Sequence, residues 1–214
     1  YLSKRPTIVA KNDMEISDVT LSGNVKLNLG NGKVDNVKVD ADGSQNVLDV
    51  TISNFNGNVT VKQTGKEDGN YSLSRIKFKN SAIDTLVMDG DGKGNVVLEG
   101  QKTNVGEVQV ENSSSVSLNL PTETVTVSET ATNVDLTVLN KVDEMKVSAA
   151  ETRVEVGNCG TVTNATVEGE NVTVSGDGVL TDVEITGENV AVSTPGTKVE
   201  GENAYVPPVI TTKP

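Results

Sequence analysis

The segment from Thr161 to Val192 holds nearly two copies of one pattern, and that pattern restricts what the chain can fold into more than any other feature. Val162-x-x-Ala165-x-Val167 is followed by Asn171-Val172-x-Val174. Leu180-x-x-Val183-x-Ile185 and Asn189-Val190-x-Val192 repeat both parts 18 residues later. Each run is apolar at alternate positions, as a half-buried strand requires, and Gly, Asn, Asp and Glu separate the runs. One such turn cannot bury its own apolar row, because the inward side chains need partners above and below. Stacked turns supply them through parallel backbone pairing at roughly 4.8 Å. The expected fold is therefore all-β: a single-stranded parallel β-helix, or solenoid, of about 18–20 residues per turn and roughly eight to ten turns. Nowhere do ten or more residues carry a capped i, i+3, i+4, i+7 apolar pattern, so no substantial helix is expected.

The same two-part sentence runs through most of the chain. Ile16-x-x-Val19-x-Leu21 precedes Val25-x-Leu27-x-Leu29, and Val34-x-x-Val37-x-Val39 opens a new copy 18 residues after Ile16. Val47-x-x-Val50-x-Ile52 and Val59-x-Val61 follow as the next pair. After a polar insertion from Lys62 to Asn70, the runs at Leu73, Ile83 and Val96 read as three strands of one longer turn. From there the first element begins at Val105, Thr122, Val142, Val162 and Leu180, in steps of 17, 20, 20 and 18. The second element aligns as Val116/Leu118, Val134/Leu136, Val154/Val156, Val172/Val174 and Val190/Val192. A two-residue ambiguity stands around Val116 to Leu120 and Val134 to Val138, where three alternate apolar positions compete for two slots. Ile8-Val9-Ala10 reads as an incomplete first coil or an end cap. The β-helix is expected over residues 1–205, and the Pro- and Thr-containing segment 206–214 as a linker to a further module of the same polypeptide. The opening Tyr1-Leu-Ser-Lys-Arg-Pro6 lacks Met and an apolar signal core, which suggests a piece of a larger chain.

Composition narrows the function classes. Two Phe, three Tyr and no Trp leave Val, Leu and Ile to fill the interior, and stacked layers favour such interchangeable side chains. A net charge of −12 argues against nucleic acid as a partner, since that mode starts from clustered Lys and Arg. No apolar run approaches the length of a membrane span, so no membrane insertion is expected. The chain has no His, the commonest general base and zinc ligand. Cys159 is the single cysteine; in Val156-Gly-Asn-Cys159-Gly it reads as a small apolar residue at a turn or inside the stack.

An Asn precedes the second element as Asn24, Asn58, Asn95, Asn133, Asn171 and Asn189, with Arg153 interrupting the series. Asn tolerates left-handed backbone and bonds neighbouring amides, so a column of them at one corner would stabilise a repeated bend. This resembles the asparagine ladder of right-handed β-helices. Left-handed β-helices follow a six-residue rule, whereas Val172, Val174, Val183 and Ile185 fall in different phases of six, which favours the right-handed form. The arrangements Ile16-Ser-Asp-Val19-Thr-Leu-Ser-Gly-Asn-Val25 and Asn164-Ala-Thr-Val167-Glu-Gly-Glu-Asn-Val172 resemble the β-helical repeats of large cell-surface proteins from Gram-positive bacteria. Some of those proteins also carry surface-layer homology modules. The likeness spans residues 8 to about 205. It implies a secreted, surface-attached, glycan-facing role and transfers no catalytic residue.

Three places stand out as candidate sites, all between Lys62 and Asn95, where the pattern is least regular. Asp89-Gly-Asp91-Gly-Lys93-Gly-Asn95 is similar to a calcium loop, with Asp89, Asp91 and Asn95 as ligands. Lys93 stands where a further oxygen ligand belongs, and the twelfth position is Gly100 rather than Glu; read plainly, the segment is a turn. Arg75, Lys77 and Lys79 alternate with Ile76 and Phe78 and project outward as a basic stripe along which a glycan could lie. If the strand at Leu73 stacks beside that at Val105, the stripe instead pairs with Glu107, Gln109 and Glu111. Lys66 and Tyr71, in and beside the insertion, are further glycan-binding candidates. No cofactor is called for beyond that calcium ion. The reading favours a monomeric, non-catalytic structural or carbohydrate-facing adhesive module, extracellular or on a bacterial surface, that meets polysaccharide or cell-wall glycan. The rival is a polysaccharide lyase or glycoside hydrolase on the same fold.

Overall fold

The computed structural model describes residues 5–41, 47–63, 72–90, 94–112 and 115–203. Among them the backbone forms eighteen strands and no helix. In chain order these are β1 (Thr7–Val9), β2 (Glu15–Leu21), β3 (Val25–Asn28), β4 (Lys33–Ala41), β5 (Val47–Ser53), β6 (Asn56–Gln63), β7 (Ser72–Gly90), β8 (Gly94–Val110) and β9 (Ser115–Asn119). The series continues with β10 (Thr122–Val127), β11 (Asp135–Val138), β12 (Lys141–Val147), β13 (Arg153–Val156), β14 (Thr161–Val167), β15 (Thr173–Ser175), β16 (Val179–Ile185), β17 (Ala191–Val192) and β18 (Lys198–Glu200). Every pairing is parallel and joins a strand to its equivalent one turn away, giving a β-solenoid of about 9 turns. At roughly 4.8 Å per turn the stack is on the order of 40 Å long.

Two sheets run along the stack. Sheet 1 holds β1, β3, β5, the first half of β7, the first half of β8, then β9, β11, β13, β15 and β17; sheet 2 holds the strands between them, from β2 to β18. β7 and β8 pass unbroken through the corner and belong to both, so the hydrogen-bonded surface is continuous from one sheet to the other. This corrects the expectation of three strands in one long turn: the runs at Leu73 and Ile83 are the two halves of β7, and Val96 begins the next turn in β8.

The core follows from the register. In sheet 2 one column runs Val19–Val37–Val59–Leu86–Val108–Val125–Met145–Ala165–Val183–Val199, a continuous row through all ten strands. All of its members are buried except the two at the ends, Val19 and Val199, which pack against the core from the margins. The expected alignment of Val105, Thr122, Val142, Val162 and Leu180 is the observed one. Thr122 breaks the chemical class and is tolerated because its hydroxyl donates to the Leu120 carbonyl at 3.3 Å. Residues vary in size where neighbours compensate. Phe78 faces Gly100, beside which stands Leu120; a Cβ on Gly100 would lie 2.7 Å from that of Leu120.

Sheet 1 resolves the ambiguity of the second element. Val116 opposes Leu136 and Leu118 opposes Val138, after which Leu136–Val154–Val174–Val192 form one column. The expected alignment is thus shifted by two residues at Val134/Leu136, Val172/Val174 and Val190/Val192. The corner decides the shift: Asn133, Glu151, Asn171 and Asn189 all adopt left-handed backbone, with φ of 52°, 53°, 56° and 55°. Glu151, not Arg153, interrupts the Asn series. Asn58 lies outside that series, in sheet 2 opposite Asn36. No side-chain bond links these corner residues among the described hydrogen bonds; their backbones carry the bend, as when Asn171 N–H donates to the Glu188 carbonyl at 2.9 Å.

A second left-handed corner, at Asn54, Asn80 and Lys102, is joined by hydroxyls instead. Phe55 N–H donates to Ser81 Oγ at 3.2 Å, Ser81 N–H donates to Thr103 Oγ1 at 3.4 Å, and Ser81 Oγ itself donates to the Lys79 carbonyl at 2.9 Å. Amide bonds do occur: on the outward face of sheet 2 Asn58 Nδ2 donates to Asn36 Oδ1 at 3.3 Å and Asn36 Nδ2 to Asp18 Oδ1 at 3.1 Å, and at the second corner Asn54 Nδ2 donates to Asn28 Oδ1 at 2.8 Å. At the first turn, Ile8-Val9 forms β1, an incomplete coil whose Ile8 and Val9 are 50% and 61% exposed. Cys159 is exposed in the turn closed by Gly160 N–H on the Gly157 carbonyl. The expected linker at 206–214 lies outside the described residues.

Two substitutions test this account of packing and corners. Gly100→Val is expected to lower stability by about 1–3 kcal/mol through overpacking against Leu120. Glu151→Asn should raise it by up to about 1 kcal/mol, because Asn relieves the left-handed cost at that corner. Urea-unfolding midpoints check both.

Candidate functional site

Alternation along β7 turns Ile76 and Phe78 into the core and leaves Arg75, Lys77 and Lys79 on the outer face of sheet 1, as expected. Their partners differ from those expected. Because β7 continues through the corner, it is the first half of β8 that lies beside the stripe, whereas Glu107 and Gln109 sit in sheet 2 opposite Thr85 and Val87. The stripe pairs with Glu99, which takes Arg75 Nε at 3.9 Å and Lys77 Nζ at 3.6 Å. On the other flank of β7 lie Asp49, Thr51 and Ser53 of β5. Asp49 is held by Arg5, whose Nη1 reaches its carboxylate at 2.5 Å and its carbonyl at 3.2 Å.

Of the calcium candidates, Asp89 lies at the end of β7 in sheet 2 and accepts a bond from Asn112 Nδ2 at 2.6 Å. Asn95 lies across the corner in sheet 1, between Leu73 and Ser115. Asp91 is outside the described residues, as are Lys66 and Tyr71. Among the described residues no three His, Cys, Asp or Glu side chains are grouped to hold a metal ion.

A polar arrangement that sequence reasoning missed sits at the base of the insertion. Gln63, 2% exposed, ends β6; Ser74, 1% exposed, stands in the apolar column of sheet 1 between Leu48 and Val96. Ser74 Oγ donates to Gln63 Oε1. A Cβ at position 94 would lie 2.4 Å from Gln63 Cγ, so Gly94 makes room for the amide. The two strands that leave for and return from the insertion are thereby tied in the interior. Gln63 and Ser74 are eleven apart in sequence across a polar stretch, and nothing in either local pattern marks them as partners.

The outer face of sheet 2 carries a depression of about 510 Å³ lined by Asp18, Asn36, Lys38, Asn58, Lys62 and Asp89, among others. The amide ladder described above runs across it. Further along the same sheet, Lys146 Nζ approaches Glu168 Oε1 at 2.9 Å and Ser148 Oγ donates to Oε2 at 2.9 Å. The Lys146 bond, with help from Ser148, holds the Glu168 carboxyl below the ordinary range. That exposed contribution is present at neutral pH and is lost as pH falls through the depressed value. The chain matches no family model, no curated protein and no solved structure.

Ser74→Ala removes the buried hydroxyl bond to the Gln63 amide oxygen and is expected to cost about 0.5–1.5 kcal/mol. The same substitution at the outward-facing, partly exposed Ser117 should stay within about 0.5 kcal/mol. Comparison of urea-unfolding midpoints separates the two.

Proposed function

We propose that this chain is a non-catalytic module, a stiff β-helical spacer that turns regular polar faces toward carbohydrate. The parent protein is secreted or attached to a bacterial surface. The observation that carries the reading is the strand-to-strand register of the outward side chains, kept along the described strands except for a shift between Gly57 and Val59 where β6 meets β7. Each outward position recurs at roughly 4.8 Å along the stack. In sheet 2, Asn58, Asn36 and Asp18 are locked in a single line of hydrogen bonds. A sugar polymer offers hydroxyls at regular intervals, and an array of amides, hydroxyls and charges fixed on strands loses little freedom on meeting it. The likeness of the repeat to β-helical segments of Gram-positive surface proteins supports the location and the ligand class.

Affinity electrophoresis through gels loaded with plant and bacterial polysaccharides tests the reading, alongside assay of the same glycans for new reducing or unsaturated ends. Retardation by at least one glycan with no release of ends is expected. Release of ends would sink the non-catalytic half in favour of a lyase or hydrolase, and mobility unchanged in every gel would sink the carbohydrate-facing half.

A further inference from the structure

Sheet 1 runs against the charge of the chain. Over its first five strands, from β1 to the first half of β8, the described outward face carries Arg5, Lys26, Arg75, Lys77 and Lys79 against the carboxylates Asp49 and Glu99, in a chain of net charge −12. Both carboxylates are already engaged, Asp49 by Arg5 and Glu99 by Arg75 and Lys77 together. Neither Lys26 nor Lys79 has an ion-pair partner among the described residues, so positive charge remains on the surface.

The relief of this face is set by side-chain length. β5 contributes the short residues Thr51 and Ser53; β3 on one side raises Lys26, and β7 on the other raises Lys77 and Lys79. Thr51 points outward, between the inward Val50 and Ile52, yet is only 7% exposed, as a floor overhung by longer neighbours would be. The flanking strands are two steps apart, roughly 9.6 Å, which admits one extended polymer chain lying along β5. Arg75, Lys77 and Lys79 stand at alternate residues, about 6.6 Å apart along the strand.

We propose that this trough binds a single chain of an acidic polysaccharide, its carboxylates meeting Lys26, Lys77 and Lys79 and its hydroxyls meeting Thr51 and Ser53. The proposal rests on the carbohydrate-facing reading and names the ligand class. A polymer with one carboxylate per sugar ring suits a modest excess of positive charge. Nucleic acid fits less well: its charge density is high, and base stacking needs exposed aromatic rings. Among the described residues the aromatic side chains are Phe55 and Phe78, both buried.

Affinity electrophoresis with alginate, a neutral glucan and inorganic polyphosphate tests this. Alginate should retard the protein, about twentyfold more weakly at 200 mM than at 50 mM NaCl, as three charge contacts at the salt slope of a single-stranded polyanion require. The triple variant Lys26→Gln/Lys77→Gln/Lys79→Gln should lose at least tenfold in affinity with an unchanged urea midpoint. The control Lys141→Gln/Lys198→Gln, two exposed lysines of sheet 2 outside the depression, should bind as the parent does. Alginate binding that survives the triple substitution, or polyphosphate binding as tight as alginate binding, overturns the proposal. Retardation by the glucan alone also overturns it while leaving the carbohydrate-facing reading intact; retardation by no glycan overturns both.

Discussion

Parallel pairing of each strand with its own equivalent one turn later is the interaction on which the rest of this structure depends. It satisfies the backbone of short segments that could not otherwise be buried, and it fixes where every side chain goes. A residue that points inward in one coil stands on an inward residue in the next, so the core is a set of columns rather than a cluster. The column from Val19 to Val199 is the result. The same pairing lines up polar residues on the outside, and it does so whether or not they have anything to bind. The Asp18–Asn36–Asn58 line and the Lys26–Thr51–Lys77 row are products of one geometry.

The two sheets were unequally legible. In sheet 2 the element Φ-x-x-Φ-x-Φ, where Φ is apolar, has three inward positions at unequal spacing, so only one alignment places all of them inside. Val105, Thr122, Val142, Val162 and Leu180 could be stacked from the letters alone. In sheet 1 the element is a plain alternation, and sliding it by two residues keeps every apolar side chain on the same face. What settles it is the backbone at Asn133, Glu151, Asn171 and Asn189, where the chain turns left-handed. Glu151 conceals that corner because Glu is not a residue expected there, and Arg153 then looks like the exception.

The candidate site shows the same division. Alternation with Ile76 and Phe78 was enough to place Arg75, Lys77 and Lys79 on the surface. Their neighbours were beyond reach of the pattern, because Leu73 and Ile83 carry similar elements and no turn signal reveals that one strand joins them around the corner. The assignment of Glu107 and Glu111 as partners failed for that reason, and Glu99 takes their place. The Gln63–Ser74 bond was invisible on different grounds: it is a tertiary bond between two residues that look like surface polar positions in their own segments.

The passage of β7 and β8 through the corner bears on how the molecule comes apart. Elsewhere a coil touches only the coils above and below, so unzipping can begin at either end and advance one layer at a time. At β7 and β8 two layers are wrapped by unbroken strands of 19 and 17 residues, and neither sheet can peel there without the other. This pair is a girdle that divides the stack into two halves free to fray separately. Amide protons beneath it should be among the last to exchange, and the basic trough, built against the girdle, inherits a rigid bed.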